Sequence, residues 1–148
     1  MMPQKPYLTA GRLRDQLTYP HAGSVASDAE LKELLKKVDL DYLIDRFPLD
    51  TDMDWPSVLS GGEQQRVGMA RLLLASPKFA VIDEGTSAVS NELEAKFYST
   101  LKAIGVVFIS VAHRDSVRKY HDCVLTLDGK QGYTFERMPA ASDTATSA

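Results

Sequence analysis

Two adjacent acids, Asp83 and Glu84, close the apolar run Phe79-Ala80-Val81-Ile82. A carboxylate at a strand end can hold Mg²⁺, largely through water, because that ion keeps much of its hydration shell. The neighbouring acid, directed the other way along the strand, can orient and polarise an attacking water. General-base help of that kind is worth roughly 10²–10⁴-fold in rate. Upstream stands Val58-Leu59-Ser60-Gly61-Gly62-Glu63-Gln64-Gln65-Arg66. A Ser-Gly-Gly turn opening a helix presents unpaired amides and the positive end of the helix dipole, which is an anion site. Glycines there let a bulky anion approach the backbone with no Cβ in the way. Taken singly, each feature has a plain alternative: an N-capped helix after a flexible turn, and two solvated acids capping a strand. Only their combination, in this order, favours phosphate chemistry.

The elements that must position these groups are legible in the pattern. Residues 1–20, rich in Pro, Tyr and Thr, read as a loop leading into a short helix near Leu13–Leu17. From Ser27 the pattern turns helical: Ser27 and Glu30 form a capping box, and Leu31, Leu34, Leu35 and Val38 recur at helical spacing. A second amphipathic piece, Asp41 to Phe47, continues it after a bend. Asp50 to Pro56 reads as an acidic turn with Trp55 as its anchor. A helix is expected from the Gly61-Gly62 turn to just before Pro77, then a strand over 78–82, a loop over 84–90 and a helix from Asn91 to Ala103. The apolar run 106–111 predicts a second buried strand, giving a parallel β-α-β unit. A short helix over 114–120 leads to a hairpin of Cys123–Leu127 and Tyr133–Arg137 around Asp128-Gly129. The Ala/Ser/Thr-rich tail, 139–148, is expected to be disordered.

Bulk properties narrow the class. At 148 residues the chain fits one domain with a real core. Its 44% apolar and 25% charged residues are ordinary for a soluble globular protein. A net charge of -3 offers no basic field, so nucleic acid is not an expected partner. The single cysteine, Cys123, excludes an internal disulfide. No apolar run approaches the roughly 20 residues needed to cross a bilayer, and Met1–Pro6 carries no signal-peptide core. The chain reads as beginning in mid-motif.

Taken together, the Leu59–Arg66 string, with Ala70-Arg71 on the same helix, and the acid pair after Ile82 resemble the signature and Walker B motifs of an ATP-binding cassette (ABC) ATPase. The lead-in Trp55–Ser60, the Ser87-Ala88-Val89-Ser90 stretch and His113–His121 resemble the D subfamily of ABC transporters, which includes peroxisomal half-transporters for fatty acids and acyl-CoA. Gly85, where many relatives carry Ala or Cys, is a mild departure. The resemblance implies an α/β fold: a partial P-loop NTPase comprising the helical subdomain and the C-terminal half of the parallel-sheet core. It divides residues 1–138 into a Q-loop region (1–20), a helical signature subdomain (21–77) and a Walker B, D-loop and H-loop core (78–138).

The same resemblance implies roles for particular residues. Glu84 would activate water and His113 would act as the switch histidine; His21 and His121 take structural readings. Asp83 would bind Mg²⁺, and Gln4 would touch both that ion and the nucleotide. Ser60, Gly61, Gly62 and Glu63 would face the ATP held by a partner cassette, and Ser87, Ala88, Val89 and Ser90 would cross the dimer seam as the D-loop. ATP and Mg²⁺ are the implied cofactors. The implied partners are a second nucleotide-binding domain, in a homo- or heterodimer, and a transmembrane domain. The implied place is the cytosolic face of a membrane: peroxisomal first, plastid or bacterial inner membrane otherwise.

No Gly-x-x-x-x-Gly-Lys-Ser/Thr phosphate loop occurs in the 148 residues. Two readings therefore stand: the catalytic part of a transporter cassette, or a non-catalytic cassette serving as an interaction module. A soluble ABC ATPase of DNA repair or chromosome maintenance would need long flanking heptads, which are absent. Without the phosphate-loop strand, the Phe79–Ile82 strand is expected to leave an apolar edge open, with marginal stability in isolation.

Overall fold

The computed structural model describes residues 1–20 and 26–139. The readings of His21 and of the tail beyond residue 139 lie outside them. The described residues fall into two compact units, Met1–His113 and a second beginning at Arg114.

In the first unit the predicted capping box at Ser27 is formed. Its hydroxyl accepts from Glu30 N at 3.3 Å, and Glu30 Oε2 accepts from Ser27 N at 2.8 Å. This box opens α2 (Asp28–Lys37), which follows β1 (Ala10–Arg12) and α1 (Leu13–Thr18). Asp39, in the left-handed region at φ 54°, makes the bend before α3 (Tyr42–Arg46). The leucines of these helices, Leu13, Leu17, Leu31, Leu35 and Leu43, are buried, as is Met69 of α5 (Gly61–Ala75), against which α1 and α2 pack.

The acidic segment expected to be a turn instead contains a strand. β2 (Asp52–Asp54) pairs antiparallel with β1, Ala10 opposite Asp54 and Arg12 opposite Asp52. Strands of three residues are too short to display alternation, and tertiary pairing overrides their local turn chemistry. Trp55, opening α4 (Trp55–Val58), is fully buried and donates Nε1–H to Gly11 O at 2.7 Å, so the anchor reading holds.

The expected β-α-β unit is present. β3 (Phe79–Asp83) and β4 (Val107–Val111) run parallel, in register from Phe79–Val107 to Asp83–Val111, with α6 (Asn91–Ala103) as the crossover. One face is covered: Ala80 and Ile82 are buried, Tyr98 of α6 meets the Phe108 ring at 5.3 Å, and its hydroxyl lies 3.0 Å from Ser110 Oγ.

One expectation about this sheet is corrected and a second is met in part. The strand at 106–111 is not buried on both faces, because Val107, Ile109 and Val111 are exposed, beside Phe79 and Val81 of the same face. The continuous apolar pattern belongs to a sheet covered twice, and the described residues supply one cover. The open edge of β3 is closed only at its C-terminal end: Met2 N donates to Val81 O at 2.7 Å and Asp83 N donates to Met2 O at 2.9 Å, a single bridge opposite Ile82 on the side away from β4.

The second unit contains a 3₁₀ helix (Asp115–Tyr120) and an antiparallel hairpin of β5 (Cys123–Leu127) and β6 (Tyr133–Arg137). Its turn is closed by Asp128 Oδ1, which accepts from Lys130 N and Gly132 N. His121 offers Nδ1 at 3.0 Å from Val117 O, in keeping with a structural histidine.

Candidate functional site

Glu84 is the centre of the site. β3 ends at Asp83, and Glu84 then turns into the left-handed region at φ 48°, uncommon for a residue with a Cβ and a form of strain found at functional positions. Its amide still bonds Val111 O at 2.8 Å, which fixes the turn against the end of β4. The carboxylate is gripped from two sides: Gln4 Nε2 donates to Oε2 at 2.9 Å, and His113 Nε2 lies 3.1 Å from Oε1. Three residues distant in sequence are thus brought together, Gln4 hydrogen-bonded to Glu84 and His113 within ion-pair distance of it. His113 is itself largely solvent-exposed, so an incoming group can reach it.

Asp83 is half-buried at the end of β3, one residue from this cluster. Among the described residues no three His, Cys, Asp or Glu side chains gather into a metal cage. The Asp83 carboxylate and the Gln4 amide oxygen are of the oxygen chemistry that Mg²⁺ takes, with water and phosphate completing its shell.

The signature turn is built as a second capping box. Ser60 Oγ accepts from Glu63 N at 3.3 Å and Glu63 Oε2 accepts from Ser60 N at 2.7 Å. Glu63 also accepts from the Tyr42 hydroxyl. Partial burial works against its charge, but the Ser60 and Tyr42 bonds outweigh it and hold the carboxyl below its ordinary range. Glu63 therefore shapes the turn, while the Gly61 and Gly62 amides are the ones a helix start leaves over for an anion. The glycines differ. A Cβ on Gly61 would meet nothing within 4 Å, whereas one on Gly62 would come 3.0 Å from Ala88 O.

Ala88 belongs to the Ser87–Ser90 loop, which leaves Ser87, Ala88 and Ser90 exposed and Val89 buried. Ser90 caps α6 by accepting from Leu93 N at 3.2 Å, and Thr86 donates to the buried Glu94 at 3.0 Å, so the loop is pinned to that helix. A cavity of about 370 Å³ opens between Gln4, Lys5, Gly61, Gln65, Ser87 and Ala88. It is walled by all three predicted segments. Gln65 was not among the expected site residues, yet its buried amide touches each of these segments. Only its place within the signature string could have drawn attention to it. A Cβ on Gly85 would lie 2.8 Å from Met2 Cε, the movable end of a flexible side chain, and 3.2 Å from Ile82 Cγ2, so a small residue there needs only a local shift.

A parallel β-α-β unit that gathers a glutamine, a glutamate and a histidine beside a glycine-rich helix start defines part of the nucleotide-binding fold of an ABC ATPase. The ABC transporter family profile matches residues 1–87, and the chain belongs to that family. It is similar to ABC transporter D family member 1 of Arabidopsis thaliana, 44% identical over 137 residues, covering 90% of this chain and 10% of that protein. It is likewise similar to ATP-binding cassette sub-family D member 3 of Homo sapiens, 43% identical over 143 residues, covering 93% of this chain and 22% of that protein. A solved bacterial Atm1-family ABC exporter with ATP bound superimposes with a TM-score of 0.71 at 34% identity, over 86% of this chain and 23% of that one. The chain thus spans between about a tenth and a quarter of the length of these proteins. No helix among the described residues is long and apolar enough to cross a membrane.

Proposed function

We propose that this chain is the signature-to-histidine portion of a D-type ABC transporter cassette, working in a whole protein that binds and hydrolyses ATP between two cassettes to drive transport of fatty acids or acyl-CoA. The observation that carries the reading is the Gln4–Glu84–His113 cluster at the end of β3. In this reading Glu84 takes up the proton of the attacking water. His113 and Gln4 hold that carboxylate at one orientation, so that little reorganisation is needed when water arrives. Mg²⁺ would be held by Asp83 and by the Gln4 amide oxygen, and supplies charge neutralisation at the phosphates. Ser60, Gly61 and Gly62 offer amides and a hydroxyl to the ATP of the partner cassette, and Ser87–Ser90 cross the seam. The membrane domain is the further partner, and the peroxisomal membrane the proposed place, with the cassette on its cytosolic face. Plastid and bacterial inner membranes are the alternatives.

The test is Glu84→Gln in the whole protein. Steady-state hydrolysis should fall by about tenfold or more, the scale of a lost general base, while ATP stays bound. Near-normal hydrolysis by that variant overturns the assignment. A second reading draws on the lack of a phosphate loop within these 148 residues: the chain would lend its signature face to another cassette. ATP binding by this chain only when a phosphate-loop partner is present would favour it.

A further inference from the structure

Gln65 is buried at 5% exposure, one helical turn after Gly61 on α5. Its Nε2 lies 3.2 Å from Gln4 O, 3.3 Å from Glu84 O and 3.0 Å from Ser87 Oγ, and its Oε1 accepts from Ala88 N at 2.8 Å. One amide therefore meets the Gln4 segment, the strained turn at Glu84, and the loop that follows it. The chemistry of these neighbours calls for glutamine. Two carbonyls and a hydroxyl oxygen want N–H donors, and a backbone N–H wants an acceptor, at the reach of a two-methylene side chain. Glutamate would set a carboxylate against two carbonyl oxygens, and asparagine is too short to span the four groups. The neighbouring Gln64 is also buried, but its amide donates to Pro56 O and Leu59 O, both on the approach to α5, and so ties the helix only to its own lead-in.

We propose that Gln65 is a positioning residue for hydrolysis: it locks the signature helix, the Gln4 segment, the Glu84 backbone and the Ser87–Ala88 loop into one rigid set. The Glu84 carboxylate and the loop facing the partner cassette are then adjusted together. A displacement of α5 at its glycine turn is passed through this amide to the group that handles water. The inference rests on the hydrolytic reading above, and two measurements separate the failure of one from the failure of the other.

The first needs no activity. Amide exchange in this chain should be faster at Ala88 in Gln65→Leu than in the wild type by about fivefold to tenfold, the scale of one lost hydrogen bond. Gln65→Glu, which keeps the acceptor, should leave Ala88 protected. The second compares the whole proteins. Gln65→Leu and Gln65→Glu should both lower kcat by roughly tenfold with KM for ATP little changed. Gln16→Leu removes an equally buried glutamine that bonds Thr9 N and Arg12 O; it should lower Tm without lowering kcat. Unchanged exchange at Ala88, or a kcat loss in Gln65→Leu no greater than in Gln16→Leu, overturns the positioning role. If Glu84→Gln also hydrolyses normally, the hydrolytic reading falls and takes this one with it.

Discussion

At the scale of single residues, the two signature glycines separate two demands that the sequence presents as one. Gly62 is held small by the protein itself, since the Ala88 carbonyl oxygen lies 3.0 Å from where a Cβ would go; Gly61 faces open space, and on the function proposed above it is small for the phosphate that approaches from outside. Gly62→Ala should therefore cost about 1–3 kcal/mol in thermal unfolding, because the Ser87–Ser90 loop must move away. Gly61→Ala should stay within about 0.5 kcal/mol of the wild type, yet lower ATP turnover of the whole protein by roughly tenfold or more. Equal stability losses in the two variants would remove the distinction. The same scale shows why the role of Gln65 is not legible in the sequence. Residue type announces carboxylates, histidines and glycines as chemical, whereas a glutamine's value lies wholly in which carbonyls happen to surround it. Those carbonyls come from three segments whose approach no local pattern records.

At the scale of elements, legibility followed length and side-chain signalling. The helices α2 and α5 announce themselves by capping boxes, Ser27 with Glu30 and Ser60 with Glu63, and both boxes form with both of their bonds. The β-α-β unit announced itself by two apolar runs around an amphipathic helix. β1 and β2 did not, because three residues cannot establish a period of two. The first capping box makes a checkable claim. Glu30 is held below its ordinary carboxyl range by the Ser27 amide and then the Ser27 hydroxyl. A carboxyl whose folded pKa is depressed contributes stability that is fully present above its unfolded pKa and is lost as pH falls through the folded value. The loss for this helix should hence begin below about pH 4.5. In urea unfolding followed by circular dichroism, the wild type should lose stability relative to Glu30→Gln below that pH, with a constant difference between pH 5 and pH 7. Ser27→Ala should cost about 1 kcal/mol at neutral pH. A pH dependence identical in wild type and Glu30→Gln would show that the box is not stabilising as charged.

At the scale of the whole molecule, the sheet carries an argument that neither residues nor elements contain. Phe79, Val81, Val107, Ile109 and Val111 lie on one face in register, at 76%, 42%, 56%, 66% and 52% exposure. Continuous apolar surface of this kind is rarely left to water in a stable monomer. It adjoins the strand β4, whose side away from β3 is not paired among the described residues, and such an edge invites association. In relatives four to ten times longer, judged by the 10–23% of their length that this chain spans, there is chain enough to cover it. Ile109→Lys distinguishes the two settings. In this chain by itself the substitution removes a side chain that packs little, so Tm should hold while the concentration-dependent mass seen by sedimentation falls. In the whole protein, a covering layer would bury the lysine and forfeit the roughly 1.5–3 kcal/mol of a buried isoleucine, with a further penalty for the unpaired charge; Tm should then drop by several degrees. A wild-type chain that sediments as a monomer across a hundredfold concentration range, together with an unchanged Tm for the whole-protein variant, would mean that this face is neither sticky nor covered. The parallel sheet would then be complete with two strands and the N-terminal bridge, and cooperative unfolding of the isolated chain would be the consequence to look for next.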